Sequence, residues 1–279
     1  MNFVKLQATG NDFVLIDGQP KQQRDWSALA KAICHRHFGV GADGILLILP
    51  SKKADFYMRM FNPDGSEAEA CGNGLRCAAR YAMQSGQISS AEIKIETPAG
   101  IKRLRTKGRK SIQVAMGKPI LAPAAIPVLV ERKGVSKAVP VIDYPLTIGK
   151  SKLKITCVSM GNPHAVCFLD RPVADFPLAE IGPKVELHPI FPNRVNFEIV
   201  NVISKKKLRA RVWERGAEET LSCGTGACAI AIAAGLKKLT DNPVDIILPG
   251  GTLTIYWDGK DEVLLSGPAE VVFEGKWKD

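Results

Sequence analysis

Two cysteines in this chain stand where a thiol can do chemistry. Cys71 lies in "SEAEACGNGLRCAARYAMQSG" (66–86) and Cys223 in "EETLSCGTGACAIAIAAG" (218–235). Each is followed by Gly-x-Gly and then by a run with helical composition. A free thiol ionises near ~8.5, and a helix N-terminus lowers that value, so the pattern predicts thiols that move protons at neutral pH. Gly72, Gly74, Gly224 and Gly226 let backbone N–H groups approach a ligand closely, and such groups at a helix start hold a carboxylate. Two such thiols on opposite sides of one carbon suit a particular reaction: one thiolate removes a proton and the other thiol returns one to the opposite face. General acid–base catalysis contributes ~10²–10⁴-fold per group, so the helix-start N–H groups must also stabilise the carbanion.

The elements that position these thiols repeat. "TGNDFVLID" (9–17) resembles "MGNPHAVCFLD" (160–170). Asn11 precedes Cys71 by 60 residues, and Asn162 precedes Cys223 by 61. Beyond the cysteines, "TPAGIKRLRTKGRKSIQVAMG" (97–117) answers "LPGGTLTIYWDGKDEVLLSG" (248–267), each reading as strand, Gly turn, strand, with Gly108 and Gly259 at matching turns. The repeat predicts an α+β fold of two pseudo-symmetric domains facing each other across a cleft. Each is a curved mixed sheet or barrel around one buried apolar helix. The boundaries fall at 1–117 and 118–267, with Pro119, Pro123 and Pro127 marking the crossover and 268–279 adding a strand back to the first domain. "ACAIAIAA" (227–234) is apolar on every side and must be enclosed, with Gly235 as its C-terminal stop.

The remaining features narrow the class. Seven cysteines without a CxxC pair argue against a disulfide framework, and the thiols read as reduced and cytoplasmic. A Cys71–Cys223 disulfide would be an inactivated form. Cys34, Cys157 and Cys167 read as small buried hydrophobes, as do Cys77 and Cys228 inside the helices. A Cys₄ metal site fails because steps of six and five residues turn about 240° and 140° around a helix. No run spans a membrane and the start lacks a signal-peptide profile. The net charge of +10 includes "KRLRTKGRK" (102–110) and "KKKLRARVWER" (205–215). Without an RNP-like aromatic motif these read as solvated strand faces, the first an exposed hairpin, that attract anionic small molecules rather than nucleic acid. "GVGADG" (39–44) matches GxGxxG, but a helix precedes it and a strand follows, the reverse of the dinucleotide fingerprint.

"FNPDGSEAEACGNGLRC", "MGNPHAV", "FPNRVNFE" and "WERGAEETLSCGTGACA" together resemble the diaminopimelate epimerase family over essentially the whole chain. The resemblance implies PLP-independent epimerisation of LL- to meso-diaminopimelate, in lysine and cell-wall precursor biosynthesis, with no cofactor and no metal. It implies Cys71 and Cys223 as the acid/base pair, with Cys223 taking the proton from the LL isomer. His164 and Glu214 match polar residues that assist the thiols. Substrate-binding positions are matched by Asn11, Asn62, Asn162 and Asn196, by Gly72 and Asn73, by Gly224 and Thr225, and by Glu214 and Arg215. It further implies a homodimer. Taken alone, Gly10-Asn11 and Gly161-Asn162 also read as turns, Glu214-Arg215 as a surface ion pair, and His164 as a core histidine. Two departures stand out: Gly44 replaces a common Gln, and Glu218 replaces the Gly of "GAGET". A proline-racemase type of enzyme, which would show "CGHG" at the first cysteine, and a basic nucleic-acid-binding protein are the competing readings.

Overall fold

An all-apolar helix has no face it can give to water, so strands must surround it. The computed structural model describes residues 1–18, 24–68, 71–108, 111–131 and 139–278. The chain divides into two compact units, Met1–Ala115 with Ser266–Asp279, and Met116–Leu265.

The first unit runs β1 (Asn2–Ala8), β2 (Asn11–Asp17), α1 (Trp26–Ile33), β3 (Ile45–Leu49), β4 (Phe56–Phe61), β5 (Glu67–Ala68), α2 (Gly72–Gln84), β6 (Glu92–Thr97), β7 (Gly100–Lys107) and β8 (Ser111–Ala115). The second contains β9 (Tyr144–Ile148), β10 (Ser151–Ser159), β11 (Pro163–Phe168), α3 (Leu178–Glu186), β12 (Asn196–Ser204), β13 (Lys207–Glu214), β14 (Glu218–Thr220), α4 (Gly224–Leu236), β15 (Val244–Leu248) and β16 (Gly251–Tyr256). Strand β17 (Leu264–Pro268) leads to β18 (Glu270–Lys276), which pairs antiparallel with β1.

Pairing senses show the repeat directly. In the first unit β1/β2 is antiparallel, β2/β3 parallel, β3/β4 antiparallel, β4/β6 parallel and β6/β7 antiparallel. The series β10/β11, β11/β12, β12/β13, β13/β15 and β15/β16 has the same senses in the same order. Each unit is therefore a mixed sheet curved about one helix: α2 packs on β1, β2, β3, β4, β8 and β18, and α4 on β10, β11, β12, β15 and β16. Small alanines let the sheet close tightly on α4, whose residues from Gly226 to Ala234 are all buried.

The central helices differ in chemistry. In α2 the arginines at 76 and 80 are buried, Arg76 completely. Their Nε groups donate to the carbonyls of Pro268 (3.3 Å) and Ala269 (2.9 Å), which holds the returning C-terminal segment against α2. The helix ends also differ. After α2, Ser85 caps and Gly86 takes φ +76°, as a C-terminal glycine should. Gly235 does not stop α4. The Lys237 N–H still reaches the Ala233 carbonyl at 3.2 Å, and it is Lys238 that turns left-handed at φ +56°. The expected glycine stop is replaced because Leu239 and Lys238 close the last carbonyls of the helix, at Ala234 and Gly235.

β7 and β8 form the expected hairpin, with Gly108 at φ +65°; Arg109 and Lys110 of the basic run lie outside the described residues. The proline-rich crossover belongs to the second unit, where Ile120 bridges to Ser159. Among the described residues no helix is long and apolar enough to cross a membrane.

Ile232 tests how closely the second sheet grips its helix, since it is wholly buried in the cluster built on α4. Ile232→Ala should lower stability by about 2–4 kcal/mol, read as a lower urea midpoint at unchanged slope. A loss below ~1 kcal/mol would mean that the sheet collapses onto the smaller side chain.

Candidate functional site

Each cysteine is the N-cap of its unit's central helix: Cys71 of α2 and Cys223 of α4, both in extended backbone conformation. The strand that delivers each cysteine is held by the same ion pair. Arg59 of β4 grips Glu67 of β5 through two hydrogen bonds of 2.7 and 2.8 Å. Arg211 of β13 grips Glu219 of β14 with the same two distances. The Arg59 hydrogen bonds hold Glu67 below the usual carboxylate range.

In the first unit Asn11 opens β2. Its Nδ2 donates to Asp43 Oδ2 at 2.7 Å, which leaves Oδ1 to accept from Asn73 Nδ2 (3.0 Å) and from Cys71 Sγ (3.9 Å). Asp43 comes from the Gly-rich 39–44 loop and is itself held by Arg36, which also grips Asp12. Burial raises Asp12, but hydrogen bonds from Arg36 and Lys5 outweigh it and keep the carboxyl ionised. The loop rejected as a dinucleotide site therefore has a different task, presenting the carboxylate that aligns Asn11. Asn73 Oδ1 in turn accepts from the buried Arg76 at 2.8 Å. Asn62 sits apart from this network, donating to Ser66 Oγ at 2.9 Å in the turn after β4. At Gly44 a Cβ would lie 2.7 Å from the Phe61 carbonyl oxygen, so this backbone admits no side chain there.

In the second unit a hydrogen-bonded series leads to Cys223. His164 is completely buried, with Nδ1 2.6 Å from Glu198 Oε1 and Nε2 3.0 Å from Asn162 Oδ1. Asn162 Nδ2 donates to Thr225 Oγ1 (3.3 Å), and Thr225 Oγ1 lies 3.5 Å from Cys223 Sγ. The Gly226 N–H donates to the same sulfur at 3.3 Å. Glu214 accepts a hydrogen bond from Thr220 Oγ1. Asn196 spends its side chain on backbone: Nδ2 on the Pro163 carbonyl and Oδ1 on the Arg215 N–H, both at 2.9 Å. Arg215 is exposed, and among the described residues its guanidinium is anchored through Nη1 to the Asn193 carbonyl at 2.9 Å. A guanidinium held by one arm has donors left for a carboxylate.

Electrostatics at Cys223 run against the helix-start expectation. Burial pushes the thiol well above its usual value, Glu214 and Glu198 push it further, and the Thr225 and Gly226 hydrogen bonds oppose them. Burial, with Glu214 next, outweighs the helix-end donors, so the thiol form of Cys223 is favoured. Glu218 plays no part in this: it is exposed on β14 with φ +61°. Burial raises Cys34 to about 12 and raises Cys77 and Cys167 too, as inert packing residues should behave.

Sequence reasoning misses several supporting residues, among them Asp43 and Arg76 above and two glutamates in the second unit. Glu198 is buried beneath Cys223, and a charged residue inside an apolar strand was its only signal. Glu186, at the end of α3, accepts from Trp213 Nε1 (2.8 Å) and the Gly216 N–H (3.2 Å), and so holds the strap carrying Glu214 and Arg215. Nothing in its local sequence marks it.

The model of the family described as diaminopimelate epimerase matches residues 3–122 and 156–272. The diaminopimelate epimerase of Carboxydothermus hydrogenoformans is 45% identical over 99% of this chain and 99% of its own. Those of Acetivibrio thermocellus (46%; 99% and 98%) and Methanococcus maripaludis (44%; 99% and 99%) are similar to the same extent. Among solved structures, a Bacillus anthracis phenazine biosynthesis protein of the PhzF family shares the fold with TM-score 0.69 at 19% identity, covering 99% of this chain and 98% of its own. A probable proline racemase from Agrobacterium radiobacter has TM-score 0.69 at 15% identity, with coverage of 99% and 92%.

Space at Gly226 tests how tightly the thiol is held. An added Cβ would meet Glu198 Oε1 at 3.1 Å, Cys223 Cβ at 3.2 Å and Sγ at 3.3 Å. Gly226→Ala should lower turnover by at least ~10-fold through displacement of the sulfur, with a smaller effect on the unfolding midpoint. Unchanged turnover would show that the thiol's position tolerates such a shift.

Proposed function

The chain belongs to the diaminopimelate epimerase family, and from that premise we propose that it interconverts LL- and meso-2,6-diaminopimelate by two-base exchange between Cys71 and Cys223. What carries the reading is the placement of one thiol at the N-cap of each central helix, at equivalent points of a repeated fold.

One sulfur, as thiolate, takes the α-proton and becomes a thiol. The electron pair passes into the α-carboxylate as an enediolate. The other sulfur, as thiol, delivers its proton to the opposite face and becomes the thiolate. No redox change occurs and no cofactor is required. The first N–H groups of an α-helix lack intrahelical partners, so those around Gly72-Asn73 and Gly224-Thr225 can hold the carboxylate where the negative charge develops. Asn11 opens β2 and Asn162 immediately precedes the equivalent β11, and each is hydrogen-bonded to the first turn of its unit's central helix. This supports their assignment to the substrate's polar groups. Arg215 takes a carboxylate of the substrate. Asn62 lines the substrate on the first unit, and Asn196 serves by holding Arg215. The raised Cys223 thiol supports Cys223 as the donor in the direction in which Cys71 abstracts. The reverse direction needs the opposite protonation. The proposal extends to a role in lysine and cell-wall precursor synthesis and to a homodimer in the cytoplasm.

Incubation with LL-diaminopimelate in deuterated buffer should give meso product carrying one α-deuterium. Cys71→Ser and Cys223→Ser should each cut epimerisation by ~10²-fold or more. Full activity in either variant would sink the two-base mechanism, and turnover of proline alone would favour the racemase reading.

A further inference from the structure

Glu198 is a buried acid that the two-base exchange does not use. It lies on β12, completely buried, with Oε1 against His164 Nδ1 at 2.6 Å. Oε2 is buried and has no hydrogen-bond partner among the described residues. An ionised carboxylate in that place would leave a charged oxygen desolvated and unbonded, which is costly. A neutral acid leaves only a carbonyl oxygen and turns Oε1 into a donor.

The donor sense of Glu198 decides the orientation of everything that follows. If Glu198 donates to Nδ1, the histidine proton sits on Nε2 and donates to Asn162 Oδ1. That leaves Asn162 Nδ2 to donate to Thr225 Oγ1, and the Thr225 hydroxyl to donate to Cys223 Sγ. If Nδ1 were instead the sole protonated nitrogen, Asn162 would have to present its amide N–H to Nε2. Its oxygen would then accept the Thr225 hydroxyl and turn that donor away from the sulfur. Asn and His orientations are set by such networks.

We propose that Glu198 is a positioning residue that works as a neutral acid, directing the donors of His164, Asn162 and Thr225 toward Cys223 Sγ so that they receive it as a thiolate. This rests on the epimerase reading for its activity readouts. Burial raises the Glu198 carboxyl, the nearby Glu214 raises it further, and His164 pulls the other way. Cys223 feels both carboxyls, so a second fixed negative charge beside it would oppose the thiolate that the reaction must form.

The first unit shows that the fold itself does not need this acid. Val14 pairs with Ile45 as Ala165 pairs with Phe197, which sets Leu46 at the place of Glu198 and Phe13 at that of His164. A Cβ on Gly74 would meet Leu46 at 3.1 Å, just as one on Gly226 would meet Glu198 at 3.1 Å. The polar pair is thus an addition to the Cys223 side of a shared scaffold.

Two variants and one spectrum test the proposal. Glu198→Gln keeps a neutral donor at Nδ1 and should stay within ~3-fold of the unaltered enzyme. Glu198→Leu copies the first unit and should lose roughly 10- to 100-fold in kcat with KM little changed. Nitrogen NMR of the unaltered, ¹⁵N-histidine-labelled protein should show His164 protonated on Nε2 alone around pH 7. Protonation of Nδ1, alone or together with Nε2, would overturn the proposal, as would a Leu variant as active as wild type or a Gln variant as impaired as Leu. A chain that does not epimerise diaminopimelate would overturn the functional reading instead, and the His164 spectrum would still decide the state of Glu198.

Discussion

Enclosure of one helix by one sheet is the constraint on which each unit depends. A helix N-cap has a fixed backbone conformation, and a helix gripped on every side cannot tilt, so a side chain at the N-cap inherits the rigidity of the whole sheet. Cys71 and Cys223 occupy that position. The paired arginine–carboxylate clamps, Arg59–Glu67 and Arg211–Glu219, restrain the segment arriving from the other side. A proton moved between carbon and sulfur tolerates little error in distance. Here the geometry is supplied by packing before any substrate binds.

The same scaffold carries two different electrostatic settings. Below Cys71 the buried ionisable residue is Arg76, bonded to Asn73. Below Cys223 it is Glu198, bonded to His164. The two N-cap thiols therefore stand in different surroundings, with a permanent cation bonded to Asn73 in one unit and an acid–histidine pair in the other. In the two-base exchange proposed above the sulfurs start in opposite protonation states, and unequal surroundings suit that requirement. Duplication of a fold repeats the thiol at equivalent helix N-caps; divergence at a few interior positions changes what surrounds each.

Much of this was visible in the residues because turns need particular ones. Gly10, Gly108, Gly161 and Gly259 all take positive φ, which most side chains avoid, so they survive as anchors by which the repeat can be read. The cysteines and the all-apolar α4 are equally visible, since burial on every side leaves no polar residue in the pattern. Other features were opaque for an equally physical reason. Arg76, Glu186 and Glu198 look like surface residues in a linear sequence, and only the partners brought by distant strands make their burial tolerable. The helix stop at Lys238 was missed because a left-handed lysine costs little when two carbonyls are satisfied in return.

The direction of the Cys223 shift exposes the limit of reasoning from one local feature. A helix N-terminus lowers a thiol's pKa when water screens little else nearby, but its influence is confined to the first turn. At Cys223 that turn supplies one N–H and one hydroxyl, while burial and the nearby Glu214 act on the same sulfur. The larger set wins, and the thiol stays protonated until something changes its surroundings. A substrate bearing an ammonium group beside the reacting carbon would bring a positive charge that Glu214 can meet. Its arrival would offset part of the effect of Glu214 on the sulfur. Deprotonation of Cys223 would then be coupled to binding, and the free enzyme would carry little nucleophilic thiolate on that side.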